Sequence, residues 1–407
     1  MTADIPVLQR EPQRMKFMPV RLDWQLLLVA TVLVLVGVLM VFSTTFDISY
    51  RSPLAPHIST TLLFYDHLQK VMLGVAALLA CYGINYRLAQ RPVVAVFLIV
   101  AVGATLIYVL VAGTGRALLD GRIQPSEPAK LITIIYLAAW LAARGPDYVR
   151  NFWIGVLPYA IVVGVIVALI FLQPDISAAF TVLAIGAVMY VVAGASLPQV
   201  SGAGLAAGLS IAAVVAISPK GHQRWADYVE GLRDISHSHE HIQYAVMAFV
   251  KGGFFGAGLG NSSMKLTYLP FPHTDSVFAV VGEEFGLLGC VVLLVLFGLL
   301  IWRGALIALR SSDMFGYLLA AGISCWLALE VAINVTVMVG LIPVAGNALP
   351  FISYGGSSLV VAMAAVGILL NISRSNISER PERNVHTPPD LRRGNRRSRI
   401  SGAGSSS

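Results

Sequence analysis

Long apolar runs recur along most of the chain, each followed by a short polar, basic or glycine- and proline-rich break. Ten of these runs match the length needed to cross about 30 Å of hydrocarbon. They lie at 24–43, 68–85, 92–113, 127–143, 152–172, 176–194, 199–217, 276–300, 314–340 and 357–372. The fifth and sixth are separated only by "LQPDIS", a proline-based turn that predicts a tight hairpin. The pattern predicts an all-α integral membrane protein, a ten-transmembrane-helix bundle with a long connection between spans seven and eight. That connection, 218–275, contains "HIQYAVMAFVKGGFFGAGLGN", whose apolar stretch is too short to cross and is interrupted by Lys251 and a glycine cluster. It predicts a re-entrant or interfacial helix followed by a tight turn, roofing one face of the bundle. Loops of this length in compact proteins are usually functional.

Composition agrees with the pattern. Hydrophobic residues make up 57% of the 407, charged residues only 12%, and the mean hydropathy is +0.77; soluble domains carry about a quarter charged residues. The first run follows a polar, basic head with no small-residue cleavage pattern after it, so a retained span is expected in place of a cleaved leader. Cys81, Cys290 and Cys325 all fall inside apolar runs, which argues against a disulfide framework or a thiolate metal site. The net charge of +7 does not imply nucleic acid, because the basic residues follow the topology. Arg10, Arg14, Lys16 and Arg21 precede the first span; Arg87, Arg91, Arg144, Arg150, Arg303 and Arg310 lie in alternate connections; eight arginines follow Ser373. By the positive-inside bias both termini are cytoplasmic, and 218–275 is extracytoplasmic. The expected organisation is a cytoplasmic segment (1–22), a membrane domain (23–373) and a basic tail (374–407). The tail, rich in Arg, Pro, Ser and Gly, has no apolar period and reads as disordered, suited to anionic lipid.

Ionisable groups inside spans cost about 2.5–3.5 kcal/mol each on insertion scales, so each calls for a role or a partner. Glu127 and Lys130, three apart at the start of span four, share a helix face and are spaced to pair, with a structural ion pair at a helix end the slightly favoured reading. Glu283 and Glu284 lie about two turns into span eight, where one is expected to face a polar cavity or a basic partner. Glu330 and Asn334, one turn apart in span nine, read as polar glue between helices. Asp275 stands where a long apolar segment begins, in "HTDS", a good helix cap by itself. One His beside one Asp offers too few ligands for a metal site of its own. "LPFISYGGSSL" sets a non-helical turn whose free N–H groups, beside Ser357 and Ser358, suit an anion, or whose small residues suit close packing. No phosphate-binding loop, nucleophile elbow or paired-cysteine motif is present.

Four stretches in order, "IQPSEPAKL", "QPDISAAF", "GNSSMKLTYLPFPHTDSVFAVVGEEFGLLG" and "GLIPVAGNALPFISYGGSSL", resemble the SEDS family (FtsW, RodA, SpoVE) over nearly all of residues 24–373. "GLGNSSMKLTYLP" is closer to the FtsW branch. The resemblance implies a ten-span peptidoglycan glycosyltransferase that polymerises lipid II at the outer face of the bacterial cytoplasmic membrane. It implies a class B penicillin-binding protein as partner, other division or elongation proteins around it, and a divalent cation, Mg or Mn, with unassigned ligands. Asp275 matches the family's essential aspartate. The implied substrate-binding set is Glu127, Lys130, Arg116, Gln124, Ser126, His273, Thr274, Glu283, Ser353, Gly355, Gly356 and Ser357. The chain departs from the family pattern in three places. "YDHLQK" keeps Gln69 without the expected Arg, the Trp before "QPSE" is absent and leaves Arg116, and Phe271 replaces an acid.

The mechanism expected from these residues is inverting, with Asp275 as general base and Lys130, Arg116 or a divalent cation stabilising the departing pyrophosphate. Three rivals share the same composition: a lipid II flippase, a polymerase of elongation instead of division, and a scaffold that activates another synthase. Polar groups crowded toward one rim, away from the midplane where transport sites lie, favour the enzyme.

Overall fold

A computed structural model of the chain describes residues 22–51, 62–113, 124–173, 175–196, 198–202, 204, 205, 208, 219–267, 269, 270 and 272–378, and the regular structure in these is helical. In chain order the helices are α1 (Trp24–Arg51), α2 (Leu62–Gly83), α3 (Pro92–Ala112), α4 (Ser126–Ala142), α5 (Pro146–Arg150), α6 (Leu157–Leu172) and α7 (Ile176–Val192). There follow α8 (Pro219–Gly231), α9 (Glu240–Gly252), the single turn α10 (Met264–Thr267), α11 (Val277–Leu309), α12 (Met314–Met338) and α13 (Gly356–Ser378). Among the described residues seven helices are long and apolar enough to cross a membrane: α1, α2, α3, α6 with the π-helical turn Phe152–Val156 before it, α11, α12 and α13. The expected fourth and sixth spans form helices of 17 residues each, short of the roughly 20 that a straight crossing needs. Most of the expected seventh span lies outside the described residues, as do Arg116, Phe271, most of the amino-terminal segment and most of the basic tail.

α12 and α13 form the centre, with Trp326 and Phe315 fully enclosed, whereas α3 and α6 turn most of their apolar side chains outward. An apolar surround cannot satisfy stray backbone groups, and the chain supplies side chains for them. Asn371 of α13 donates to the carbonyls of Cys81, Tyr82 and Ile84, closing the carboxyl end of α2. Asp313 caps α12 through the Gly316 N–H at 2.7 Å and receives Tyr86 Oη and the Arg87 guanidinium at 3.1 Å. Arg303 reaches Asp23 at 2.6 Å. Two of the basic residues that set the predicted orientation are therefore also clasps between helices at this end.

The connection between the expected spans seven and eight is structured. It carries α8, α9 and α10, and the expected short helix is α9, followed by a run of glycines. That run meets α11 where α11 breaks: Gly286 has φ 68° and ψ −166°, a conformation essentially open only to glycine. Across the break Ala257 N–H and Gly258 N–H donate to the carbonyls of Glu283 and Glu284, while Leu287 and Leu288 donate to Gly253 and Phe254. Span eight is thus not the even helix the apolar run predicts. Its first turns, Val277 to Glu284, are buried under the loop, and outward-facing leucines and valines begin at Leu287.

Candidate active site

At the end of the bundle opposite Asp313, the amino-terminal parts of α2, α4, α7, α11 and α13 surround a cavity of about 340 Å³. Each arrives there for a local reason. Asp175, after the proline of "QPD", is the amino-terminal cap of α7. Ser276 caps α11 by position, with its Oγ donating to the Pro270 carbonyl at 2.6 Å and not to the helix, and Asp275 just before it lines the cavity. Gly355 and Gly356 open α13 at the wall, and Ser357 Oγ accepts from Gln124 N–H at 2.8 Å. Helix amino termini carry partial positive charge, and several of them pointing at one space favour an anion there.

Charged side chains sharpen that field. Lys130 is buried, with Nζ 2.9 Å from Glu127 Oε2 and in contact with Glu330 Oε1; its ammonium also faces the Trp326 ring. Glu127 and Lys130 therefore pair as their spacing predicts, but as part of a triad with one ammonium between two carboxylates. Lys70 also lines the cavity, 2.6 Å from Asp66 and over the ring of Tyr354 at 4.3 Å. Asp175 accepts from Gln124 Nε2 at 2.7 Å and from Ser126 Oγ at 2.8 Å.

The turn that presents Asp275 is fastened from three sides. Asn334 donates to the Asp275 carbonyl at 3.0 Å and to the Asn347 carbonyl at 2.6 Å. Ser353 Oγ donates to the Thr274 carbonyl at 2.6 Å and accepts from Leu349 N–H. Tyr354 N–H donates to the His273 carbonyl at 2.7 Å. The neighbouring Phe351 is held at φ 66°, a conformation costing about 1–3 kcal/mol for a non-glycine residue. His273 lines the cavity, and burial holds its pKa below the usual histidine value, which favours the neutral ring.

Of the expected site residues, Asp275, Glu127, Lys130, Gln124, His273, Thr274, Gly355, Gly356 and Ser357 share this one cavity. Ser126 and Ser353 stand behind it as supports for Asp175 and for the 272–276 turn. Glu283 is put to a different use: its carboxylate accepts from Ser262 Oγ, Ser263 N–H and Met264 N–H, ordering the chain into α10. The break at Gly286 and the folded-back loop bury it against that segment. Its neighbour Glu284 pairs with Lys265 at 2.8 Å and accepts from Ser43. Sequence reasoning missed Lys70, Asp175, Glu330 and Gly346. Asp175 had a signal, an acid in a proline turn between two apolar runs; Glu330, read as glue, faces Lys130 across two helices that no local spacing relates. Among the described residues no three His, Cys, Asp or Glu side chains gather as a metal cage. The described lining of the cavity thus shows no ready-made cage for a divalent cation.

The cell cycle protein family model covering FtsW, RodA and SpoVE matches residues 23–378. The chain is 35% identical to the "Probable peptidoglycan glycosyltransferase FtsW" of Trichlorobacter lovleyi over 86% of its own length and 93% of that protein. A chain from a structure described as "Structural coordination of polymerization and crosslinking by a peptidoglycan synthase complex" is 26% identical and superposes with a TM-score of 0.70, covering 88% of this chain and 99% of that one. The rod shape determining protein RodA of Thermus thermophilus is also 26% identical, with a TM-score of 0.60 over 87% of this chain and 97% of RodA.

Proposed function

This chain belongs to the FtsW, RodA and SpoVE family of cell cycle proteins, and from that premise we infer that it is a peptidoglycan glycosyltransferase of cell division, polymerising lipid II. The observation that carries the chemistry is the placement of the Asp275 carboxylate in a cavity ringed by helix amino termini and ammonium groups. Counting 127–143, 176–194 and 199–217 as membrane segments gives ten spans with both termini cytoplasmic. The arginine distribution then puts Asp275 at the outer face of the cytoplasmic membrane.

Lipid II carries a disaccharide whose anomeric carbon bears a pyrophosphate on a polyprenyl tail. The tail stays in lipid, which confines the reactive sugar to the headgroup plane. Asp275 takes the proton of the acceptor's hydroxyl as that oxygen bonds to the donor's anomeric carbon. The carbon–oxygen bond to phosphate breaks, and polyprenyl pyrophosphate leaves with the electron pair. Lys70, Lys130 and the amino termini of α4 and α13 face that developing charge. Glu127 is tied to Lys130, and Asp175 accepts from Gln124 and Ser126. Asp275, on the turn that opens α11, serves as base, and a single inverting displacement is the proposed step. The solved synthase complex among its relatives supports a crosslinking partner, a class B penicillin-binding protein.

The purified protein with that partner and lipid II is expected to make glycan strands. In liposomes, movement of the lipid II headgroup across the bilayer with no polymer formed would instead identify a flippase.

A further inference from the structure

Asp275 stands in the wall between two cavities. Besides the one described above, it lines a second of about 260 Å³ between α7, the loop bearing α8 and α9, and the segment after α12. Ser177, Asp275 and Gly346 are common to both. Ser177 Oγ donates to the Gly346 carbonyl at 2.8 Å and pins the partition. A Cβ on Gly346 would lie 3.0 Å from Asp275 Oδ2, and nothing other than that carboxyl group lies within 4 Å of it. The absence of a side chain at 346 is thus what leaves the carboxylate reachable where the cavities adjoin.

The two spaces differ in chemistry. The first holds the ammonium groups and most of the helix amino termini. The second holds one guanidinium, Arg224, two imidazoles, His239 and His241, and an apolar wall of Ile176, Pro270 and Val344. Arg224 of α8 forms no hydrogen bond or ion pair with any described residue. A pocket with an apolar wall and a few polar groups suits a sugar ring, whose C–H face packs and whose hydroxyls bond. Inversion requires the attacking oxygen to arrive opposite the leaving group, and a base standing between two cavities meets that requirement.

We propose that the second cavity is the acceptor subsite: it holds the saccharide of a second lipid-linked molecule, with Arg224 against its anionic part and its hydroxyl turned to Asp275. The donor occupies the first cavity. This rests on the glycosyltransferase reading above. It assigns Arg224 as a binding residue and Gly346 as the residue that keeps the acceptor's approach to the carboxylate open.

Native mass spectrometry of the full chain counts bound lipid II. The Asp275→Asn protein is expected to hold two lipid II molecules, and the Asp275→Asn/Arg224→Glu protein one. With the partner present and Asp275 intact, Arg224→Ala is expected to raise KM for lipid II about 10-fold while kcat stays within about 2-fold, the split that marks lost binding instead of lost chemistry. Arg233→Ala, an exposed cation on the same loop, is the control and changes neither. A second lipid II retained by the Arg224→Glu protein, a single one on Asp275→Asn alone, or wild-type kinetics for Arg224→Ala in a preparation that polymerises, each overturns the subsite and leaves the enzyme standing. A preparation that binds lipid II but never polymerises overturns the enzyme reading and this subsite with it.

Discussion

Lys130 shows how little of the site's electrostatics is local. Its partner Glu127 is one turn away and legible from spacing, but Glu330 comes from another helix, 200 residues on. Removing the ammonium leaves two buried acids with no cation, and breaking such a pair costs about 3–5 kcal/mol. Lys130→Met should therefore lower the melting temperature in detergent sharply, and Lys130→Met/Glu330→Gln should recover part of the loss; equal melting of the wild type and Lys130→Met would remove the triad from the account. Asp275 was legible because a polar residue opening an apolar run calls for a reason. Glu283 misled for the same reason, since its distance along the chain from Asp275 hides the loop that takes its carboxylate. His241 gives a pH test. It is buried against Ser276, and burial, with His239 second, pushes its pKa down from 6.5 to about 4. The unfolded chain then binds the proton more readily than the folded one, so stability is complete above pH 6.5 and falls as pH drops from 6.5 toward 4. Melting between pH 7.5 and 5 should show that loss, and His241→Gln should flatten it.

Among the elements, α11 departs furthest from expectation. A continuous apolar run predicts a continuous helix, and nothing in hydropathy marks the break at Gly286; the signal lay in the glycines of the preceding loop, which sequence reading took for a turn only. The break matters because it seats the loop bearing Glu283's partners and fixes the buried turns that begin at Asp275. A Cβ at Gly286 would sit 2.5 Å from both Gly256 N and Phe254 O, in a conformation alanine avoids. Gly286→Ala should cost at least about 2 kcal/mol, read as a lower melting temperature and reduced polymerisation. Gly298→Ala, in the same helix with nothing within 4 Å of its Cβ, should be neutral or slightly stabilising. If the two variants melt alike, the break carries no structural weight. α4 and α7, at 17 residues each, lie at the short end of the crossing range, which is why their apolar runs are counted as spans by pattern.

Over the whole molecule, helix amino termini at one end make an anion-favouring cavity, while the Asp313–Arg87 and Asp23–Arg303 clasps close the other. The arginine bias made this polarity legible before any fold was known; the gathering of five chain segments around one cavity was not, because it depends on helix packing. A membrane-impermeant thiol reagent applied to intact spheroplasts should label Ser236→Cys and spare Ser312→Cys, and the reverse pattern would invert the topology and put Asp275 on the wrong side for its substrate. Whether Asp275 is the base of a lipid-linked glycosyl transfer is decided by polymerisation of lipid II by purified Asp275→Asn protein with its partner. General-base catalysis contributes about 10²- to 10⁴-fold, so glycan synthesis should fall by at least about 100-fold while the melting temperature stays within about 2 °C of wild type. Strands made at the wild-type rate by that variant would contradict the claim.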